Sequence, residues 1–118
     1  MRHIVFAAVV PTLLLFATGE VAAHALLDRA EPRVGNTVET APREVTLYFT
    51  QKLEAGFSNI TITNDSGERV DTGKTRVSGS QMAISLRPVS SGNYRVIWHV
   101  LSVDTHTTDG NYSFRVGR

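Results

Sequence analysis

Hydrophobic residues recur at every second position through most of the chain, and past the first two dozen residues no segment keeps a helical period for three turns. Period-two alternation marks strands with one buried face. The run from Arg43 to Thr50 places Val45, Leu47 and Phe49 on one side and Glu44, Thr46, Tyr48 and Thr50 on the other. Phe57 to Thr63 predicts a second strand through Ile60 and Ile62. Asn64-Asp65-Ser66-Gly67 has the composition of a turn. Glu68 to Asp71 predicts a short strand, and Thr72-Gly73-Lys74 turns the chain again. Gln81 to Arg87 alternates through Met82, Ile84 and Leu86, and a Ser- and Gly-rich loop follows from Pro88 to Asn93.

The longest predicted strand is Tyr94 to Val103, with Tyr94, Val96, Trp98 and Val100 on one face and Ile97, Leu101 and Val103 on the other. Asn111 to Val116 closes the chain with Tyr112, Phe114 and Val116 aligned. His24 to Arg29 gives a further strand, and Pro32, Gly35 and Pro42 mark a long connection after it. About seven short strands with frequent turns predict an all-β sandwich. In that fold Trp98 and Met82 are core residues. The last two strands form a hairpin, and Asp104 to Gly110 is its loop at one end of the sandwich.

Residues 1–23 depart from this pattern. Arg2 and His3 precede an apolar run of about 14 residues, and Val21-Ala22-Ala23 offers small residues of the kind a signal peptidase reads. The run is short of the roughly 20 residues a membrane-spanning helix needs. Residues 1–23 therefore read as a cleavable signal peptide, and residues 24–118 as one exported domain, expected in the periplasm. Cleavage after Ala23 makes His24 the first residue. An N-terminal histidine can offer an α-amino nitrogen and imidazole Nδ1 to one metal, which an internal histidine cannot.

Composition narrows the function classes. A net charge of +1 over 118 residues leaves no basic footprint for nucleic acid. The absence of cysteine excludes disulfides, thiolate metal sites and a cysteine nucleophile. There is no GxSxG elbow, Gly-rich phosphate loop or HExxH motif, so no enzyme class and no small-molecule substrate is indicated. Glu31, Glu54 and Asp109 read as surface charges. After maturation Met82 is the single methionine, too few for a soft thioether site.

The remaining chemistry lies in Asp104 and His106. In an extended segment, positions i and i+2 point to the same side, so the two side chains can converge on one ion. Imidazole suits Cu(II), Zn and Ni, and a carboxylate adds charge. Spacing alone leaves a second reading open, an Asp bonded to its own loop backbone beside a solvated His. A functional reading of this pair needs a third partner, for which His24 is the candidate. His99 lies opposite Trp98 and reads as a partly exposed strand residue.

Two blocks of sequence give these residues a context. His24-Ala25 is followed by Leu27, Pro32, Gly35, Pro42 and Val45-Thr46-Leu47-Tyr48-Phe49; Trp98 leads into Ser102-x-Asp104-x-His106, Gly110, Phe114 and Val116. Over residues 24–118 the chain resembles the CopC-type periplasmic copper-binding proteins, or copper resistance proteins. The resemblance implies a Greek-key β-sandwich, immunoglobulin-like or cupredoxin-like, that binds one Cu(II) per chain. His24 would give its amine and Nδ1 in a histidine brace, His106 an imidazole nitrogen and Asp104 a carboxylate oxygen. The implied role is buffering or delivering copper, without catalysis. The implied partners are the copper ion and an inner-membrane copper transporter of the CopD type. A brace-type copper oxygenase and a metal-free immunoglobulin-like module are the alternatives. Two places depart from the family: Gln51 is neutral where some members are acidic, and a Met-rich Cu(I) loop is missing. With no membrane domain after Arg118, the stand-alone form is expected.

Overall fold

A computed structural model describes residues 25–117. The predicted signal peptide and His24 lie outside the described residues. The described residues form eight strands: β1 (Leu27–Glu31), β2 (Thr37–Val38), β3 (Glu44–Phe49), β4 (Asn59–Thr63), β5 (Arg76–Ser78), β6 (Gln81–Ser85), β7 (Gly92–Leu101) and β8 (Thr107–Val116). The described residues contain one turn of 3-10 helix, Ala55–Phe57. The strands make two four-stranded sheets, ordered β1-β3-β6-β5 and β2-β8-β7-β4. Every pairing is antiparallel except β2 with β8. The all-β sandwich read from the alternation is the fold observed.

The alternation works as expected because one face of each sheet is buried against the other. Val45, Leu47 and Phe49 of β3 and Met82 and Ile84 of β6 face Ile60 and Ile62 of β4, Val96 and Val100 of β7, and Tyr112, Phe114 and Val116 of β8. Burying such a side chain stabilises the fold by roughly 1.5–3 kcal/mol. Trp98 is only half-buried. Its ring meets Phe49 of the opposite sheet edge-on at 6.0 Å between centroids, and Tyr112 at 6.4 Å.

Several boundaries differ from expectation, each for a local reason. The second predicted strand begins at Asn59, because Ala55–Phe57 makes a 3-10 turn that leaves Phe57 exposed. Glu68 to Asp71 is no strand; it makes only single bridges, Thr63 with Arg69 and Asp71 with Leu86. Those bridges carry Asp71 inward, to 1% exposure. Its carboxylate accepts the backbone N–H of Ile62 and of Gly73, each at 2.8 Å, and pairs with Arg69. Thr75 Oγ1 accepts the N–H of Ile60. The outward N–H groups of edge strand β4 are thus satisfied by side chains, which blocks pairing with another chain. The short strands β2 and β5 were not anticipated, since two or three residues carry too little alternation to recognise.

The change that matters for the site is at β8. It starts at Thr107, not Asn111, and pairs with β7 without interruption from Leu101↔Thr107 to Gly92↔Val116. Thr107-Thr108-Asp109-Gly110 reads as loop because it is polar, but its inward position at residue 110 needs a glycine. A Cβ there would collide with the Trp98 indole.

Candidate metal centre

With β8 extended, the turn between β7 and β8 shrinks to Ser102–His106. Ser102 donates its N–H to the His106 carbonyl at 2.9 Å and accepts, at its own carbonyl, the Thr105 N–H at 2.9 Å. Thr105 has φ +73°, a left-handed conformation that costs a β-branched residue on the order of 1–2 kcal/mol. Asp104 and His106 do meet, with His106 Nδ1 3.3 Å from Asp104 Oδ1. An extended segment is not what makes them meet. A tight turn with a left-handed residue between the two brings them together.

Ser102, fully buried, stands in the Ser102-x-Asp104-x-His106 motif, but the sequence assigns it no role. Its hydroxyl donates to Asp104 Oδ1. That hydrogen bond, ahead of the imidazole and backbone of His106, holds the Asp104 carboxyl below the usual carboxylate range despite some desolvation. The carboxylate is therefore anionic at neutral and mildly acidic pH. Both partners stay accessible, with side-chain exposures of 39% for Asp104 and 46% for His106. A Ser two residues before an Asp at a strand end was the available signal for this contact.

Residues 50–54 clamp the turn. Val103 donates to the Lys52 carbonyl at 3.0 Å, Glu54 to the Leu101 carbonyl at 2.8 Å, and Leu53 bridges Ser102. The same segment holds the beginning of the described chain. Thr50 N–H donates to the Leu26 carbonyl at 2.9 Å, and Leu26 N–H donates back to Thr50 Oγ1 at 3.0 Å. Half-buried Gln51 lies between these two sets of bonds. A second tie comes from β8, where Thr108 Oγ1 donates to the Ala25 carbonyl at 2.9 Å across 83 residues. Ala25 is itself buried. The residue that follows His24 in the chain is thus fastened two residues past His106.

Two donors on one metal at roughly 2.0–2.1 Å stand about 2.9–3.4 Å apart for angles of 90–109°. The Asp104–His106 pair already has this spacing. Among the described residues no group of three or more His, Cys, Asp or Glu side chains gathers at a metal-binding spacing. His99 is elsewhere. It lies on the outer face of β7, exposed and 2.6 Å from Asp109 Oδ1 on β8, as a strand residue opposite Trp98 should. Met82 is wholly buried in the core, as read.

The CopC domain profile matches residues 27–117. Protein YobA of Escherichia coli K12 is 38% identical over 106 residues, covering 84% of this chain and 83% of YobA. Copper resistance protein C of Xanthomonas campestris pv. juglandis is 32% identical over 109 residues, covering 85% of each. The crystal structure of PcoC, a methionine-rich copper resistance protein from E. coli, superposes with a TM-score of 0.69 at 32% identity, covering 80% of this chain and 99% of PcoC.

Proposed function

Because the chain belongs to the CopC domain family, we propose that it is a periplasmic Cu(II)-binding protein that buffers or delivers copper in copper resistance or homeostasis. The observation that carries the proposal is the convergence at one end of the sandwich. Thr108 and Thr50 hold Ala25 and Leu26 beside the turn that pairs Asp104 with His106. In this reading, removal of residues 1–23 frees the amine of His24. That amine and its Nδ1 join His106 and Asp104 around one Cu(II). Nitrogen donors with a carboxylate match the tetragonal preference of Cu(II). An ionised carboxylate, anchored by Ser102, favours the more highly charged Cu(II) over Cu(I), which argues for holding the ion over redox turnover.

An inner-membrane transporter of the CopD type is the acceptor we assign to this copper. Unlike PcoC, described as methionine rich, this chain keeps its single mature methionine in the core. We therefore assign it no thioether site for Cu(I).

N-terminal sequencing of the exported protein, with a Cu(II) titration of the same sample, tests the reading. His24 is expected as the first residue, with one tight Cu(II), a nitrogen-rich EPR signal and quenched Trp98 fluorescence. His24→Ala is expected to weaken binding at least ten-fold, and equal affinity would refute the brace. Ascorbate and oxygen should give no turnover on a polysaccharide; turnover would favour an oxygenase.

A further inference from the structure

The hairpin carries a second Asp–His pair, which the reading above does not use. His99 and Asp109 face each other directly in the β7–β8 register on the outer face of the sheet. His99 Nδ1 lies 2.6 Å from Asp109 Oδ1, and the side chains are 46% and 71% exposed. We propose that His99 and Asp109 form a second, weaker site for a divalent transition metal, tightest for Cu(II), in which Nδ1 and a carboxylate oxygen bind the ion together and water fills the remaining positions.

Three features support this. The donors come from directly opposed residues of adjacent strands, so the backbone holds them at fixed spacing. Moving them apart by a few tenths of an ångström gives the separation of about 2.9 Å that two donors at right angles on one metal require. Both side chains are exposed, so this adjustment displaces no core atom and the ion keeps its water. Finally, imidazole with carboxylate is the donor set that Cu(II) takes most strongly among the divalent first-row ions. The pair is also separate from the candidate centre. His99 and Asp109 point outward from the sheet, whereas Thr108 beside them turns inward to Ala25. With two exposed donors against the four of the proposed brace, the second site should bind at least ten-fold more weakly than the first.

The exported protein, stripped of metal with a chelator, is titrated with Cu(II) by calorimetry and EPR. Two binding events are expected. His99→Ala and Asp109→Asn should each weaken the second at least ten-fold and leave the first within about two-fold. Asp109→Asn is informative because its amide oxygen can still accept a hydrogen bond from Nδ1 while the anionic donor is gone. Circular dichroism of the metal-free variants checks that each is folded. A single event in the wild type, or an unchanged second event in His99→Ala, overturns the proposal. A second event lost in His99→Ala but kept in Asp109→Asn overturns the chelate. Failure of the brace would change the first event only, so the two readings fail separately.

Discussion

Asp104 shows how much of a site depends on one neighbour. Its spacing from His106 was legible, and its anchoring was not. That depends on the Ser102 hydroxyl, buried where β7 ends. An aspartate is ionised between about pH 5.5 and 7.5 in any case, and this bond, by holding the Asp104 carboxyl below its ordinary range, widens that margin. The protons that compete with copper in that window come from the nitrogen donors, which must be unprotonated to bind. Cu(II) affinity should therefore fall as pH drops. Asp104→Asn should bind at least ten-fold more weakly at every pH while keeping the same slope, measured by titration at several pH values. Gly110 makes a steric case. Alanine there drives its Cβ into the Trp98 indole, and overpacking of this kind costs typically 1–3 kcal/mol. Gly110→Ala should lower the denaturant midpoint accordingly.

Among the elements, β8 decides the most. Its inward residues Tyr112, Phe114 and Val116 are core, and its first residues set where the Asp104–His106 turn ends. The sequence concealed that beginning, since Thr107 to Gly110 lacks the apolar alternation by which strands are recognised. Register supplied what composition did not: each of these residues finds its partner on β7. Tyr112 also ties β8 to the chain after β1, donating its hydroxyl to the Pro32 carbonyl at 2.7 Å. Tyr112→Phe leaves that buried carbonyl unpaired and should cost about 1–3 kcal/mol in chemical denaturation. Burial first, and the charge of Glu31 second, push the Tyr112 phenol well above its usual range. Above about pH 10 the unfolded tyrosine ionises while the folded one keeps its proton. Stability thus falls with rising pH there, and Tyr112→Phe should show a smaller alkaline loss.

At the scale of the whole molecule, the start of the described chain is fastened beside the Asp104–His106 turn. Residues 50–54 join the start of the domain to the β7–β8 turn, and Thr108 ties Ala25 to β8. A protein that retains one residue before His24 has an amide where the brace needs an amine. It should bind Cu(II) at least ten-fold more weakly, although its fold is unchanged by circular dichroism. Processed protein at a free Cu(II) concentration 100 times its dissociation constant should gain about 2.7 kcal/mol of stability. In a domain of this size that raises the melting temperature by roughly 10–20 °C. The extended chain should show a much smaller shift.

The sequence by itself determined the class of fold, the buried face of each long strand and the identity of the candidate donors. Those properties are local: alternation records which side of a strand meets the core, and donor chemistry belongs to the side chain alone. Only the tertiary structure decided that Asp104 and His106 meet through a left-handed turn at Thr105, and that a buried Ser102 anchors the carboxylate. The same holds for Ala25, held beside a strand 83 residues away, and for His99, which faces Asp109 across two strands. These last two join positions 83 and 10 residues apart, whose spacing along the chain carries no signature, and only the folded sheets bring them within hydrogen-bonding distance.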